Sequence, residues 1–356
     1  MTLSNGKEML GRQLQDIGFY SLSDDRAKQC SALSPLWRCE LLLTDRCNFA
    51  CPYCRGMRDD LRGILSWDDA YHVVDMWMSE GLRNVRFSGG EPTLWPYLTY
   101  LCSRCRDGGV ERIAVSTNGS ADEVVYQSLL DAGVNDFSIS LDACCASVGD
   151  KMAGGKHGAW RRAVDSIRFL SASTYTTVGM VFTEDNWESA ADSVLFADSL
   201  GVSDIRVVPS AQFSKVLTQL AELPSAVLEK YPILRYRIAN VLRRRNVRSM
   251  CADDCGKCSL ALDDMAVAGD KHFPCIIYLR EGGAPIGTVG PNMRVERERW
   301  VASHNSHSDP ICRAMCLDVC IDYNNKVRDL SLQNAQRDRH GTPRSVPANC
   351  SARGCE

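Results

Sequence analysis

Short apolar runs alternate with amphipathic segments from residue 38 to about residue 210. The apolar runs have the length and composition of β-strands and cover residues 39–43, 84–88, 112–116, 136–141, 176–182 and 204–208. Between them, apolar residues recur every three or four positions, which predicts helices near residues 67–80, 95–107, 121–132, 158–171 and 187–200. Helices between successive strands favour parallel pairing with right-handed crossovers. The pattern therefore predicts an α/β fold, either an open doubly wound sheet or a barrel.

The rest of the chain departs from this repeat. We interpret it as an N-terminal extension, a helical linker, a Cys-rich domain and a polar tail, at residues 1–36, 212–250, 251–330 and 331–356, which leaves residues 37–211 for the βα repeats. The linker contains a basic stretch, residues 235–248, with six arginines and no acidic residue. Such a stretch is typical of a solvated helix face, but it can also bind phosphates.

Composition narrows the functional class. The net charge of −3 gives no electrostatic argument for a nucleic-acid or membrane partner. The segment MTLSNGKEMLGRQ lacks the apolar region of a signal peptide, and no run is long enough to span a membrane. We therefore expect a cytoplasmic protein without a membrane partner. Eighteen cysteines then indicate metal binding in a reducing compartment rather than a disulfide scaffold.

Three cysteines lie close together directly after the first predicted strand. Cys47, Cys51 and Cys54 form a C-x3-C-x2-C loop. Three thiolates at this spacing can hold three corners of a cubic 4Fe–4S cluster, which normally takes four. One iron then stays open, as in catalytic metal sites. The alternatives are a zinc site, which usually contains paired C-x2-C units, and a redox C-x2-C motif.

This loop, with Tyr53 before its last cysteine, resembles the signature of the radical S-adenosylmethionine (SAM) superfamily. The resemblance implies that SAM chelates the open iron and that an external donor of the flavodoxin or ferredoxin type supplies an electron. Cleavage of SAM then yields a 5′-deoxyadenosyl radical that abstracts hydrogen from the substrate. The resemblance also implies a partial (β/α)6 TIM-type barrel, whose chemistry lies at the C-terminal ends of the strands.

A second motif, FSGGEPT, follows the second predicted strand. Its glycines, Gly89 and Gly90, permit close backbone approach to a ligand, and Glu91 can accept hydrogen bonds from an ammonium group. The motif resembles the GGE motif that binds the methionyl amino group of SAM. We therefore predict that this segment binds the cofactor.

Polar residues also mark the ends of the third and fourth predicted strands. Ser116 and Asn118 lie at the third, and Ser140 and Asp142 at the fourth. The resemblance implies contacts with the SAM carboxylate or ribose hydroxyls. A helix cap or Asx-turn is the alternative for each residue. With Tyr53 and the GGE segment they complete the predicted cofactor-binding set.

A second group of cysteines lies in the Cys-rich domain. It comprises Cys255, Cys258, Cys275, Cys312, Cys316 and Cys320. The segment ending in GDKHFPC resembles the hairpin of SPASM and twitch auxiliary-cluster domains, although the later cysteines depart from the seven-cysteine SPASM spacing. We expect one auxiliary 4Fe–4S cluster on Cys258, Cys275 and two of the last three cysteines, with Cys255 as a substitute. A zinc ribbon using the Cys255-x2-Cys258 pair is the alternative.

The predicted function is hydrogen abstraction from a polar small-molecule or nucleotide-linked substrate, leading to oxidation or rearrangement. Alternatives are a radical SAM isomerase in DNA-base hypermodification, a peptide-modifying SPASM-type maturase and, in a different class, a non-catalytic zinc- or nucleic-acid-binding protein. Residues 1–36 are short for a peptide leader-binding domain, and the basic stretch favours a phosphate-bearing substrate while leaving nucleic acid open as a partner. The charged residues around the hairpin are candidate substrate contacts, namely Asp263, Asp264, Arg280 and Glu281.

Overall fold

The computed structural model describes residues 24–61, 63–210 and 215–339. Most of the predicted N-terminal extension, and residues 340–356 of the predicted tail, lie outside this part of the chain. Nine strands form one sheet: β1 Arg38–Leu42, β2 Asn84–Ser88, β3 Arg112–Thr117, β4 Asp136–Ser140, β5 Tyr175–Phe182, β6 Asp204–Pro209, β7 Asp264–Ala268, β8 Lys271–Phe273 and β9 Gly287–Thr288. The first six coincide with the six predicted apolar runs.

The sheet order is β6-β5-β4-β3-β2-β1-β7-β8-β9. Strands β1 to β6 are parallel, each paired with the next along the chain. Strand β7 adds to the other side of β1, also in parallel, and β8 and β9 follow antiparallel. Because β6 and β9 are the two ends of the sheet order, the sheet does not close. The partial barrel expected from the sequence is confirmed.

Helices of the βα repeat cover the outer face of the sheet. Helix α1, Asp24–Gln29, precedes the repeat. The helices of the repeat are α2 Trp67–Ser79, α3 Leu98–Asp107, α4 Glu123–Asp131, α5 Ala146–Met152, α6 Ala159–Ser171 and α7 Ala190–Ser199. Five of them match the predicted helices, and the short α5 was not predicted. Helix α2 has an N-terminal cap, because the Ser66 hydroxyl accepts a hydrogen bond from the Asp69 amide at 3.1 Å.

The C-terminal part is mostly helical. Its helices are α8 Lys215–Gln219, α9 Ser225–Lys230, α10 Pro232–Leu242, α11 Ile276–Arg280, α12 Met293–Ser303, α13 Pro310–Met315 and α14 Asp318–Arg339. Helix α14 begins inside the predicted Cys-rich domain and continues into the predicted tail. Within the described residues, we find no helix with the length and apolar character needed to cross a membrane.

Alternate residues of the parallel strands serve two different faces. Cys39, Leu41, Phe87 and Val115 are fully buried in the main hydrophobic core of the chain. The other face is polar and lines the interior of the partial barrel. At the N-terminal ends of the strands it contains ion pairs, such as that between Arg112 and Asp136. At the C-terminal ends of β3 and β4, Asn118, Ser140 and Asp142 instead line a cleft.

A buried arginine attaches α1 to the Cys-rich part. The Arg26 guanidinium has no exposed surface and bonds Asp263 and Asp264 at 2.5 Å each. It also lies 5.1 Å from the centre of the Tyr323 ring in α14. Our prediction that Asp263 and Asp264 contact substrate is wrong, because burial and this ion pair already engage both carboxylates.

The arginines of the basic stretch do not share one solvated face. Arg237 is buried in α10, and its Nη1 donates to the Val207 carbonyl at 2.8 Å. Arg245 pairs with Asp322 of α14. Arg248 is half-buried and donates to the Met315 carbonyl at 3.3 Å. Arg237 and Arg245 therefore stabilise the packing of α10 and its C-terminal loop on β6 and α14.

Candidate functional site

The cysteine loop lies directly against the GGE segment. The Gly90 amide donates to the Thr44 carbonyl at 2.6 Å, and the Glu91 amide to the Arg46 carbonyl at 2.8 Å. A Cβ atom on Gly89 would lie 2.4 Å from the Thr44 oxygen, and one on Gly90 would lie 2.2 Å from the Arg46 oxygen. The space on the Cβ side of both glycines is thus filled by backbone that leads into the cysteine loop. The two glycines allow the loop to reach the end of β2.

The three loop thiols have the environment of cluster ligands. Cys47 and Cys54 are exposed, and Cys51 is half-buried. The Phe49 amide lies 3.5 Å from the Cys47 sulfur, and the Gly56 amide lies 3.3 Å from the Cys54 sulfur. Amide donors to cysteine sulfur are a recurrent feature of iron–sulfur sites, where they tune the potential of the cluster. The donor set therefore fits three corners of a 4Fe–4S cluster.

Two of these thiols hold their protons more tightly than a free cysteine does. Burial and the nearby Asp142 carboxylate together raise the pKa of Cys51 to about 11. Burial also raises the pKa of Cys47, against the effect of the Phe49 amide. Since a metal binds the thiolate, cluster assembly must displace these protons.

Glu91 is held by four hydrogen bonds. Glu91 is buried, with 1% of its surface exposed. Oε1 accepts from the Thr93 amide at 3.1 Å and from the hydroxyls of Thr93 and Thr117 at 2.7 Å each. Oε2 accepts only from the Asn118 amide, at 2.7 Å. Burial raises the pKa of Glu91, and these bonds oppose the shift. The carboxylate is fixed in place, and Oε2 keeps acceptor capacity for a ligand.

Ser116 near the end of β3 and Asn118 just after it lie in different surroundings. The Asn118 side chain donates to the Asn48 Oδ1 atom at 2.8 Å, and its amide nitrogen lies 3.8 Å from the Cys47 sulfur. Ser116 lies within β3, and its hydroxyl accepts from Arg86 at 2.6 Å. Asn118 therefore touches the cysteine loop, whereas Ser116 faces the barrel interior.

Asp142 connects the cysteine loop to β5. The Tyr53 hydroxyl donates to its Oδ2, and the Val181 amide donates to its Oδ1 at 2.7 Å. Burial raises the pKa of Asp142 to about 6. Ser140, an exposed residue at the end of β4, lines a cleft together with Cys51, Tyr53 and Asp142. The structure thus brings Tyr53, Asn118, Ser140 and Asp142 to one cleft beside the thiols.

One wall of this cleft was missed by the sequence interpretation. Trp160 and Met152 line it from α6 and α5. The Trp160 ring stacks on Phe196, with centroids 5.5 Å apart, and its Nε1 donates to the Ala143 carbonyl at 2.9 Å. The available signal was Gly149, where a Cβ atom would lie 2.3 Å from the Trp160 ring. Helices α5 and α6 thus add a flat apolar wall to a polar cleft.

The second cysteine group also converges. All six predicted thiols line a single cavity between the barrel edge and the C-terminal helices. Cys258 precedes the β7–β8 hairpin, and Cys275 follows it. Burial raises the pKa of Cys275 to about 11, and the neighbouring Cys320 thiol adds to this. Together the thiols offer more than the four ligands that a 4Fe–4S cluster takes.

A buried arginine supports the hairpin. Arg297 of α12 donates to the carbonyls of Ala261 at 2.7 Å and Phe273 at 3.1 Å. It also lies 3.2 Å from Nδ1 of His272, whose Nε2 is 3.0 Å from Glu296. Burial lowers the pKa of His272 to about 4, and the charge of Arg297 contributes. His272 is therefore a neutral, hydrogen-bonded part of the hairpin and does not face the thiol cavity.

Comparison with known proteins identifies the barrel. Residues 41–197 match the family model described as the Radical SAM superfamily. This segment, 157 of the 356 residues, therefore matches a radical SAM domain.

The chain also resembles curated proteins over part of their length. It is 36% identical over 107 residues to the GTP 3′,8-cyclase of Pseudomonas entomophila, covering 28% of this chain and 31% of the relative. It is 29% identical over 178 residues to the GTP 3′,8-cyclase of Pseudomonas fluorescens, covering 47% and 52%. The matched stretch thus spans between about a third and half of these relatives.

Solved structures share the fold. SuiB of Streptococcus suis bound to S-adenosylmethionine aligns with a TM-score of 0.57 at 14% identity, covering 80% of this chain and 77% of that one. The structure described as native anSMEcpe with bound AdoMet aligns with a TM-score of 0.55 at 12% identity, covering 85% and 99%. At such low identity the likeness concerns the fold alone.

The radical SAM domain contacts the Cys-rich part next to both cysteine groups. Arg55, which follows Cys54, pairs with Glu281 beyond α11. Arg58 donates to the Gly283 carbonyl at 2.6 Å. Glu281, predicted as a substrate contact, is engaged in this junction. The segment after the third loop cysteine thus packs on the segment that follows Cys275.

Proposed function

We propose that the chain is a radical SAM enzyme that uses Cys47, Cys51 and Cys54 to bind its catalytic cluster. The observation that carries the proposal is that these thiols lie beside the fixed carboxylate of Glu91, at the open end of a barrel that belongs to the radical SAM domain. When bound, the cluster supplies the electron that cleaves SAM and so generates the 5′-deoxyadenosyl radical.

The residues of the cleft bind and orient SAM. Oε2 of Glu91 accepts a hydrogen bond from the methionyl ammonium group, because its other oxygen is already engaged by three donors. Asn118 and Ser140 offer polar atoms to the carboxylate or ribose. The Trp160 wall excludes water from the cleft, which protects a reactive radical from side reactions.

The second cysteine group binds one auxiliary 4Fe–4S cluster. Cys258 and Cys275 supply two thiolates from the two ends of the hairpin. Cys316 and Cys320 supply the other two, because their thiols hydrogen-bond each other and interact with Cys258. The auxiliary cluster accepts an electron from the substrate radical or positions the substrate.

The substrate is a polar or nucleotide-linked molecule. The relatives named GTP 3′,8-cyclase support a nucleotide. The barrel interior supports a polar substrate, since Glu40 and Arg86 lie side by side on β1 and β2 and are only partly buried. Glu40 accepts from the Ser88 hydroxyl with one oxygen, at 2.6 Å. A substrate with hydroxyl, amino or acidic groups would find matching partners there.

Anaerobic assay tests the proposal. The reconstituted brown protein is expected to release 5′-deoxyadenosine from SAM under a strong reductant. Cys51→Ala is expected to abolish this release, while Cys251→Ala, which removes an exposed thiol outside both cysteine groups, should retain it. A colourless protein with stoichiometric zinc at both groups would refute the proposal.

The substrate class is tested by deuterium transfer. Deuterated nucleosides, nucleotides and small polyols would be incubated separately with SAM and reductant. A nucleoside or nucleotide is expected to label the 5′-deoxyadenosine product. Labelling by polyols alone would replace the nucleotide-linked assignment while leaving the SAM chemistry intact.

A further inference from the structure

A mixed set of metal donors lies at the edge of the thiol cavity. His304, Asp309 and Cys312 each offer one ligand atom, and these atoms lie within 4.8 Å of one another. The His304 Nε2 atom is 3.6 Å from the Cys312 sulfur. In a tetrahedral zinc site, Zn–S bonds of about 2.3 Å and Zn–N bonds of about 2.0–2.1 Å separate sulfur from nitrogen by about 3.5 Å. The two atoms therefore have the spacing of ligands on one ion.

Both non-sulfur donors are held in place by other residues. Oδ1 of Asp309 accepts from the Cys312 amide at 2.8 Å, and Oδ2 accepts from the Tyr278 hydroxyl at 2.8 Å. Each oxygen keeps a lone pair for a metal. The His304 ring stacks on Trp300, with centroids 4.0 Å apart and planes inclined by 15°. The donors are thus preorganised, which lowers the entropic cost of binding an ion.

The thiol count leaves Cys312 available. The auxiliary cluster that we proposed takes Cys258, Cys275, Cys316 and Cys320, which is the full complement of a cubane. Cys312 is then the remaining thiol with a nitrogen ligand beside it. Imidazole nitrogen is a common ligand of zinc, so the pair of His304 and Cys312 offers the nitrogen and sulfur donors that this ion takes.

We propose that His304, Asp309 and Cys312 bind a zinc(II) ion distinct from both iron–sulfur clusters, with water as the fourth ligand. Binding exchanges the Cys312 thiol proton for the metal and releases that proton to solvent. His304 ends α12, whereas Asp309 and Cys312 belong to the first turn of α13. The ion would join these two helices beside the auxiliary cluster. The assignment rests on the proposed function only for the use of Cys316 and Cys320 by that cluster.

Metal analysis of the full-length protein tests this site. The protein would be reconstituted anaerobically with iron and sulfide, given zinc, and freed of loose metal by desalting. One equivalent of zinc is expected per chain, and zinc-edge X-ray absorption should show sulfur together with nitrogen or oxygen ligands. His304→Ala is expected to lose this zinc at unchanged iron content. His307→Ala is the matched control, because His307 lies three residues away and contacts the Asp254 carbonyl at 2.8 Å.

Asp309→Asn adds a variant that preserves the fold. The amide oxygen can still cap α13 and the amide nitrogen can donate to the Tyr278 hydroxyl, so a lower zinc affinity with unchanged thermal stability would support a ligand role. Wild-type protein without zinc, or zinc that persists in His304→Ala, would overturn the proposal. A loss of about four irons in His304→Ala would also overturn it and would assign the residue to the auxiliary cluster. Absence of 5′-deoxyadenosine release from wild type would instead contradict the proposed function.

Discussion

At the residue scale, two glycines set the distance between the cysteine loop and β2. Neither Gly89 nor Gly90 can carry a side chain without displacing backbone oxygen atoms of Thr44 or Arg46. Backbone atoms cannot move aside as easily as a flexible side chain, so the loop itself would have to shift. The geometry of the three thiols is therefore coupled to the absence of two Cβ atoms.

We expect Gly90→Ala to lower the free energy of unfolding by about 1–3 kcal/mol, the range for an overpacked site. Gly179→Ala in β5 is the matched control, because its Cβ would meet only the Ile139 oxygen at 3.9 Å and its φ is not positive. Replacing glycine there should be neutral or slightly stabilising. Urea unfolding of the apo-protein under reducing conditions measures both. Equal effects of the two variants would contradict this account of Gly90.

The buried carboxyl of Asp142 gives a pH-dependent stability. Its pKa is about 6 when folded and 3.8 in the reference state, so the folded chain holds a proton that the unfolded chain releases. The stabilisation is present below pH 4 and is lost as the pH rises through 6. Relative to Asp142→Asn, the wild-type apo-protein should lose about 2–3 kcal/mol of unfolding free energy between pH 4 and pH 7. Parallel pH profiles of the two proteins in urea titrations would argue against this shift.

At the element scale, the sequence predicted the regular barrel well. Runs such as NVRFS and RIAVS are recognisable because they are short and every second residue is a buried apolar side chain. Helix α5, at Ala146–Met152, was missed because seven residues are too few to show a helical period. Ser116 shows a different limit, since motif recurrence placed it at a strand end while the alternation along β3 turns it toward Arg86.

Long-range ion pairs were beyond prediction for another reason. Arg26 and Asp263 are 237 residues apart, and nothing local marks them as partners. Charged residues near a cysteine hairpin therefore looked like substrate contacts. Asp263 and Asp264 come close to α1 because β7 pairs with β1 in the sheet. Pairing across the sheet, which periodicity does not encode, decides the role of these carboxylates.

Helix α1 should depend on this buried pair. Arg26→Met removes the nearest cation from two buried carboxylates, of which Asp264 keeps Arg38 at 3.3 Å, and we expect a loss of about 3–5 kcal/mol together with faster hydrogen exchange in α1. Adding Asp263→Asn and Asp264→Asn should restore part of the loss. Arg83→Met is the control, because its partner Glu111 is exposed and such pairs contribute about 0–1 kcal/mol. If Arg26→Met cost no more than the control, the attachment of α1 would have another basis.

At the scale of the whole molecule, the nine-stranded sheet joins two cysteine groups. Strand β1 leads into the cysteine loop, and its neighbour β7 lies in the hairpin between Cys258 and Cys275. Arg55 and Glu281 link the segments that follow Cys54 and Cys275. The two groups are therefore parts of one continuous framework, and a change at one can reach the other through few residues.

Arg248 lies near Arg55, which follows the cysteine loop, and near two cysteines of the second group, Cys316 and Cys320. Burial and the positive charge of Arg55 lower its pKa, whereas the Cys320 and Cys316 thiolates raise it. Its backbone pairs with that of Leu317, next to Cys316. Within the described residues, we find no carboxylate within salt-bridge distance of its guanidinium. A half-buried cation so placed should stabilise the more negative, reduced state of an auxiliary cluster.

We therefore expect Arg248→Gln to move the midpoint potential of the auxiliary cluster to more negative values, by on the order of 1 kcal/mol per electron. A redox titration followed by electron paramagnetic resonance measures this in Cys51→Ala protein, where the catalytic cluster is absent. Arg243→Gln is the control, since that side chain is exposed at the end of α10. Because Gln retains a donor for the Met315 carbonyl, an altered potential with unchanged stability would separate the charge of Arg248 from its packing. An unchanged potential would show that solvent already screens this charge, so that the cation serves the contact between the 248–250 segment and α13 instead.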